Sequence, residues 1–318
     1  VTAPACSDDE FIELWRTHGG SADKIGEALC VSSRSVLARR RRLEDKLHAA
    51  IPARNGEHYA HLSPREHKAR HELSVQSGQV VVFSDAHFWP GVRTTAFRGL
   101  LKLIRDLKPS AVINNGDAFD GASISRWPRI GWDSKPSVID ELKACEQRLC
   151  EVEDAADRAK LIWPLGNHDA RFETRLAQNA PEFEGVKGFH LKDHFPRWVP
   201  CWSTWINGDV VVKHRWHNGV HAVRNNTLKA GKTIVTGHLH SLKVTPLNDY
   251  NGTRYGVDTG TLADPSGPQF LDYLEDAPTD WRSGFVVLTF HKGRLLWPEV
   301  VNVFAQNEIE FRGQIVRV

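Results

Sequence analysis

Val80-Val81-Val82-Phe83-Ser84-Asp85-Ala86-His87 runs from four apolar residues straight into an acid and an imidazole two positions apart. Such an apolar, largely β-branched run predicts a strand buried in a central sheet. The C-terminal end of a strand of this kind is where an α/β sheet presents its reactive groups. Two residues apart on extended backbone, Asp85 and His87 project to one side and can hold one metal ion.

An Asp-x-His pair is common by chance, but the pattern recurs downstream. Ala111-Val112-Ile113-Asn114-Asn115 leads into Gly116-Asp117-Ala118-Phe119-Asp120. Leu161-Ile162-Trp163-Pro164-Leu165 leads into Gly166-Asn167-His168-Asp169. Val210-Val211-Val212-Lys213 leads into His214, and Thr233-Ile234-Val235-Thr236 leads into Gly237-His238-Leu239-His240. Each apolar run thus delivers Asp, Asn or His at its exit, and the glycines let the chain turn beside a ligand.

The 318 residues are 41% hydrophobic and 25% charged, which fits one large soluble domain plus a small one. A net charge of +2 excludes nothing, so local clusters carry the reading. No apolar run approaches the ~20 residues of a membrane span, and the first residues lack a signal peptide's apolar core. Five cysteines without a CxxC pair point to a reducing, cytoplasmic setting with no membrane partner.

Residues 1–48 read as a small helical module. Phe11, Leu14 and Trp15, then Ile25, Ala28 and Leu29, repeat at helical spacing. A third helix is expected to turn Val36, Leu37, Leu43 and Leu47 inward. Its other face would carry Arg34, Arg39, Arg40, Arg41, Arg42 and Lys46 against Glu44 and Asp45, a net of +4. A short helix, a tight turn and a basic third helix resemble a helix-turn-helix DNA-binding module, with the five arginines as expected DNA contacts. The competing reading is a solvated charged face on a three-helix bundle.

Residues 49–78, with Pro52, Asn55, Gly56 and Pro64, read as a linker or strap. Its His58, His61, His67 and His71 lack metal spacing. Glu72–Val75 is expected to pair with the Val80 strand. Residues 79–318 form the main domain. Helices are expected over 93–107, 137–159 and 170–179, a loop over 121–134, an aromatic irregular stretch at 181–207 and a hairpin closing a second sheet at 284–304.

Taken in order, Asp85-Ala86-His87, Gly116-Asp117-Ala118-Phe119-Asp120, Gly166-Asn167-His168-Asp169, His214 and Gly237-His238-Leu239-His240 resemble the motif set of the calcineurin-like metallophosphoesterases. The resemblance covers residues 79–304, about 70% of the chain. It implies an α/β protein, a four-layer α/β/β/α sandwich with a dinuclear metal centre at the strand ends. By position, Asp85, His87 and His240 would hold one ion, Asp117 would bridge, and Asn167, His214 and His238 would hold the second. His217, followed by Asn218-Gly219, stands as the alternative to His214. Asp, Asn and His donors without Cys suit manganese, with iron, zinc, nickel or cobalt as alternatives. In the family, two ions ~3.5–4 Å apart generate a bridging hydroxide that attacks phosphorus in line. His168 would assist the transition state or protonate the leaving oxygen, with Asp120 orienting it and Asp169 playing a structural part.

One departure bears on substrate. Gly121 follows Asp120 where the Ser/Thr phosphatase branch carries Arg, and Asp169 stands in place of its Glu, which disfavours a protein phosphatase. Arg171 and Arg126, then Arg129 and Arg215, are candidate phosphate clamps. The expected activity is hydrolysis of phosphodiester bonds, with nucleic acid as substrate and partner because of the basic module. The whole resembles phage or bacterial phosphoesterases related to DNA-repair nucleases. Two alternatives remain open: a small-molecule phosphatase or phosphodiesterase, and a DNA-binding regulator with an inactive phosphoesterase domain.

Overall fold

The structure, a computed structural model, describes residues 6–49, 51, 69–127, 132, 134–270, 274 and 277–318. Most of the expected linker, including Pro52, Asn55, Gly56, His58, His61, Pro64 and His67, lies outside the described residues, as does Arg129. The chain divides into two compact units, Val1–His67 and Lys68–Val318.

The first unit holds α1 (Asp8–Thr17), α2 (Ala22–Leu29) and α3 (Ser33–Leu47). Ser7 and Glu10 form a reciprocal capping box on α1, which satisfies two N–H groups the helix cannot. Cys30, in the left-handed region at φ +53°, makes the turn out of α2, and Ser32 caps α3 by accepting from Ser35 N at 3.2 Å. Phe11, Trp15, Ile25, Val36, Leu43 and Ile51 form the core. Leu37 and Leu47, expected inside, are instead 40% and 48% exposed. Val36 and Leu43 are two turns apart, so the inward positions between them fall at residues 39 and 40. Arg39 and Arg40 lie there with their guanidinium groups over the rings of Phe11 (4.8 Å) and Trp15 (5.4 Å). Their long stems shield the core while the charged heads reach outward.

The second unit runs β1 (Arg70–Leu73), β2 (Gly78–Phe83), α4 (Thr95–Leu107), β3 (Ala111–Asn114), α5 (Val138–Ala156), β4 (Lys160–Pro164), α6 (Asp169–Asn179), α7 (Leu191–His194), β5 (Val199–Cys201), β6 (Ser203–Ile206), β7 (Val210–Val212), α8 (Ala222–Ala230) and β8 (Thr233–Thr236). It continues with β9 (Lys243–Asp249), β10 (Gly252–Asp258), β11 (Gly284–His291), β12 (Arg294–Leu295), β13 (Glu299–Ala305), β14 (Glu308–Phe311) and β15 (Gln314–Arg317). One sheet is ordered β15-β14-β13-β11-β2-β3-β4-β5, with β12 beside β11; β2 to β5 are parallel. The other is ordered β1-β6-β7-β8-β10-β9.

Strand alternation builds the layers. Val81 and Phe83 face a core shared with α4 and α5, while Val80 and Val82 face Val212, Val235 and Val257 of the opposite sheet. Each of these β2 side chains is fully buried, worth about 1.5–3 kcal/mol apiece. Helix α8 covers the outer face of the second sheet, where Val223 and Thr227 leave no room for a side chain at Gly256. The result is a four-layer α/β/β/α sandwich. No helix among the described residues is long and apolar enough to cross a membrane.

Three expectations change. Strand β1 pairs in parallel with β6, in the opposite sheet from β2. The 284–304 segment does not close a second sheet; β11 pairs antiparallel with β2 and, with β13, β14 and β15, extends the first. The 181–207 stretch contains α7, β5 and β6, and its Phe195 and Trp198 pack into the helix-side core rather than lining an entrance.

Candidate metal centre

The exits of β2, β3 and β8 share an unusual backbone. Asp85, His87, Asp117, His238 and His240 all have positive φ, between +40° and +72°. Such a conformation costs a non-glycine residue of order 1–3 kcal/mol and persists only where its surroundings impose it. Asp85 N donates to Gly116 O at 2.9 Å, His87 N to Asp117 O at 3.0 Å and Phe88 N to Ala118 O at 2.9 Å, lacing the two loops together. Asp85 and His87 therefore converge from left-handed turns, not from the extended backbone that their spacing predicts.

Two separate triads form, each with ligand atoms within 4.8 Å of one another, Asp85, His87 and His240, and Asp117, His214 and His238, and a third, His87, Asp120 and His168, shares His87 with the first. His240 Nε2 is 3.1 Å and His87 Nε2 4.0 Å from Asp85 Oδ1. His214 Nε2 is 3.0 Å from Asp117 Oδ2. Among the described residues, His87 Nε2 and the Asn167 amide oxygen are buried without a hydrogen-bond partner. A buried polar atom left unpaired is costly, and a bound cation would satisfy both. The set fits divalent cations: Asp85, His87 and His240 would hold one, and Asp117, His214 and His238, with Asn167, would hold a second.

A family model for calcineurin-like phosphoesterases matches residues 78–260, more than half the chain. The chain belongs to the calcineurin-like phosphoesterase family. Two phage proteins are similar to it: the Gene 54 protein of Mycobacterium phage L5, 26% identical over 253 residues, and that of Mycobacterium phage D29, 25% identical over 257. Each match covers 71% of this chain and 94% of the phage protein. Among solved structures, the E. coli phosphoesterase Yfce matches at 17% identity and a TM-score of 0.33, covering 66% of this chain and 87% of its own.

The surroundings of this phosphoesterase centre are built from carboxylates. Asp120 Oδ1 lies 2.8 Å from His87 Nδ1 and 2.7 Å from His168 Nδ1, so one oxygen sets both imidazoles. It thereby turns the Nε2 lone pair of His87 toward the metal position. His214 Nδ1 is fixed in the same sense by Asn115 O at 2.8 Å. Asp169 is a hub: it accepts from Asp117 N, Ala118 N, Phe119 N, Gly166 N and Trp163 Nε1 at 2.8–3.1 Å. Close approach also dictates glycine at two positions. A side chain at Gly116 (φ +91°) would meet His214 Nδ1 at 2.6 Å, and one at Gly166 would collide with the Asp117 carboxylate.

Charge follows the geometry. Burial opposes ionisation of Asp85 and Asp117, but His240 and His214 pull Asp85 down to about 2, and His214 and His168 hold Asp117 well below the carboxylate range. Burial opposes the charged form of His214 too, but Asp117 and Asp85 push it up to about 10. Burial and His214 push His238 down to about 4. For His168, Asp117 and Asp120 outweigh burial and raise the value. Burial and the Asp117 charge push Asp169 up, against four backbone N–H donors and an indole that favour its ionised form.

Six of the seven expected metal ligands come together here with Asp120 and His168, and Asn167 directly precedes His168, whose backbone N–H donates to Asp117 Oδ1 at 2.8 Å. His214, not His217, is beside Asp117; His217 stacks on Trp216 and its backbone N–H donates to Asn226 Oδ1. Arg171 reaches the site: its Nη2 is 3.0 Å from His168 Nε2 and its Nη1 donates to Asp120 O at 2.8 Å. Arg126 does not; it is exposed over the ring of Trp127. Arg215 is exposed, near enough for its charge to help lower His238. In the first unit Arg39 donates to Cys6 O at 2.6 Å and pairs with Asp8, and Arg40 pairs with Glu44. The arginine run therefore has acidic partners, and Arg34, Arg41 and Arg42 are its exposed members. Glu141 was not foreseen: fully buried on α5, it accepts from Ala122 N at 3.0 Å and supports the turn after Asp120. Burial and the Asp120 charge push it up to about 8. A Glu in the first turn of an amphipathic helix carries no signal of this in sequence.

Proposed function

We propose that this phosphoesterase cleaves phosphodiester bonds of nucleic acid, with manganese as its working metal. The observation that carries the substrate is the basic face of α3: Arg34, Arg41 and Arg42 are exposed on a helix that follows a tight helix-turn-helix bend. Such a face supplies phosphate contacts that hold a backbone without reading its sequence.

Divalent cations held by the two triads and Asn167 would supply water activation and neutralisation of phosphoryl charge. The rest is the work of the chain's own residues. Asp120 keeps the His168 proton on Nδ1 and presents Nε2 at the open side of the centre, where the side chain is 22% exposed. Protonated on both nitrogens, a form that Asp117 and Asp120 favour, His168 passes its Nε2 proton to the leaving oxygen and keeps the Nδ1 proton on Asp120 as a neutral imidazole. Arg171, anchored on Asp120 O, swings its free Nη2 edge from His168 Nε2 to a phosphoryl oxygen. The space it uses lies against Gly121, whose missing side chain leaves the Arg171 Cδ room.

The test is hydrolysis of bis-p-nitrophenyl phosphate, p-nitrophenyl phosphate and labelled single- and double-stranded DNA, side by side, with Mn²⁺, Fe²⁺ or Zn²⁺. Wild type is compared with Asp117→Asn and with the Arg34→Ala/Arg41→Ala/Arg42→Ala triple variant. Asp117→Asn is expected to lower every activity by at least ~10²–10³-fold. The triple variant keeps small-diester turnover and loses DNA cleavage with a weaker salt dependence. Turnover of small esters with DNA left intact by wild type would overturn the substrate. Tight DNA binding without turnover under any metal would favour a regulator.

A further inference from the structure

A cavity of about 480 Å³ lies on the solvent side of α4, against β15. Arg93, Arg98, Lys102, Arg105 and Arg317 line it, with Asp106 as the acidic side chain in its wall. Arg98, Lys102 and Arg105 fall at i, i+4 and i+7, one stripe of the helix. Part of this charge is spoken for. Arg93 pairs with Glu151 at 2.7 Å, Lys102 with Asp106 at 3.1 Å, and Arg98 donates to Asn307 Oδ1 and to Thr95 Oγ1. Arg105 and Arg317 are exposed and make no ion pair among the described residues. Arg98, Arg105 and Arg317, in no ion pair among the described residues, leave the hollow positively charged, an arrangement that is relieved by a polyanion.

One side chain is common to this hollow and to a gap beside His87. Arg93 also lines a second, smaller cavity together with His87, Thr94, Arg148, Leu262 and Gln269. His87 belongs to the first metal triad, so Arg93 is the cationic side chain that stands between the hollow and that triad. From Arg98 to Arg105 the helix rises ~10 Å, which spans about three nucleotides of a strand at ~3.4 Å each. The cavity has the volume of one or two nucleotides of a single strand.

We infer that the α4–β15 cavity is a track for single-stranded nucleic acid, gripping phosphates that flank the one at the metal centre. The inference rests on the nucleic-acid reading above and adds a place and a strandedness to it. It also separates two basic surfaces: α3 contacts nucleic acid from the first unit, whereas the track belongs to the catalytic unit itself. Arg105 and Arg317 meet the phosphates directly, Lys102 exchanges Asp106 for one, and Arg93 carries the path across to His87.

The experiment uses the full chain with Mn²⁺ and a fluorescently labelled 20-nucleotide single strand. Binding is followed by anisotropy across salt concentrations and cleavage by gel, for wild type, Lys102→Ala/Arg105→Ala/Arg317→Ala and the charge-keeping Lys102→Arg/Arg105→Lys/Arg317→Lys. The alanine variant is expected to bind and cleave the strand at least ~10-fold less well. Its slope of log affinity against log salt falls by ~2, as three lost single-strand contacts require. Bis-p-nitrophenyl phosphate turnover stays at the wild-type level, and the charge-keeping variant behaves as wild type. An alanine variant with wild-type strand affinity and salt slope, beside a wild type that cleaves the strand, overturns the track alone. A wild type that turns over bis-p-nitrophenyl phosphate but neither binds nor cleaves the strand overturns the track and the nucleic-acid reading together.

Discussion

The charges of the metal centre and those of α3 obey opposite rules. At the strand exits, Asp85, Asp117, His87 and His214 are buried, and His87 Nε2 has no hydrogen-bond partner among the described residues. On α3, Arg39 and Arg40 lie over the rings of the module's core and, with Lys46, are neutralised locally by Asp8 and Glu44. Buried charge with open valence is retained for chemistry, because nothing about stability rewards it. Surface charge with local partners is mostly scaffolding. The contrast shows that a dense run of one charge in sequence says less about function than a few isolated acids and histidines at strand ends.

The hardest way to break this contrast is to remove a buried charge that has no open valence. Asp169→Ala would leave five N–H donors unsatisfied in the interior. At ~1–3 kcal/mol each, the loss is about the whole stability of an ordinary domain. The variant is expected to be insoluble or to unfold far below wild type in a thermal melt. A soluble variant with a wild-type melting temperature would show that the hub is dispensable.

Asp120→Ala should do something smaller and more specific. It frees His87 and His168 together, so metal affinity and turnover are expected to fall ~10–100-fold while the fold persists. Metal titration by calorimetry and turnover of the small diester measure the two losses separately. Loss of turnover with unchanged metal affinity would confine Asp120 to His168.

The arginine run sharpens the other half. Arg39→Ala is expected to cost the helical module about 1–2 kcal/mol, since it removes a bond to Cys6 O and packing over Phe11. Arg41→Ala, two positions on and exposed, should stay within ~0.5 kcal/mol. Hydrogen exchange of the α1 and α3 amides reads both; equal effects would erase the distinction between scaffold and surface arginines.

What was legible follows the same line. The runs before Asp85, Asp117, Asn167, His214 and His238 are nearly continuous apolar stretches, and strands β2, β3, β4, β7 and β8 lie where those runs are. Sheet membership was not legible, because the pairing of β1 with β6 or of β11 with β2 depends on long-range packing that leaves no local period. The ligands were legible by residue type and their conformation was not. Nothing in Asp-x-His announces φ values of +52° and +40°, which arise from hydrogen bonds to a loop about 30 residues away. Arg39 and Arg40 misled because their charge outweighed their position, although residues 36 and 43 bracket them on the inner face.

The smallest effect expected is a pH dependence confined to the first unit. Hydrogen bonds from Lys46 and then Arg39 hold the Asp8 carboxyl below its ordinary value of 3.8. A lowered acid stabilises the fold in its charged form. That contribution is therefore complete above the ordinary carboxylate range and is lost as pH falls through the lowered value. Asp8→Asn should weaken amide protection of α1 and α3 modestly at pH 7, and the gap from wild type should close as the pH drops below 4. High salt should shrink the same gap at pH 7, because the pair is exposed and screened. A gap independent of both pH and salt would mean that Asp8 acts as a residue of the α1 first turn and not as the counter-charge of α3, which would then be held by its core residues Val36 and Leu43, the Arg39–Cys6 hydrogen bond and the ring contacts.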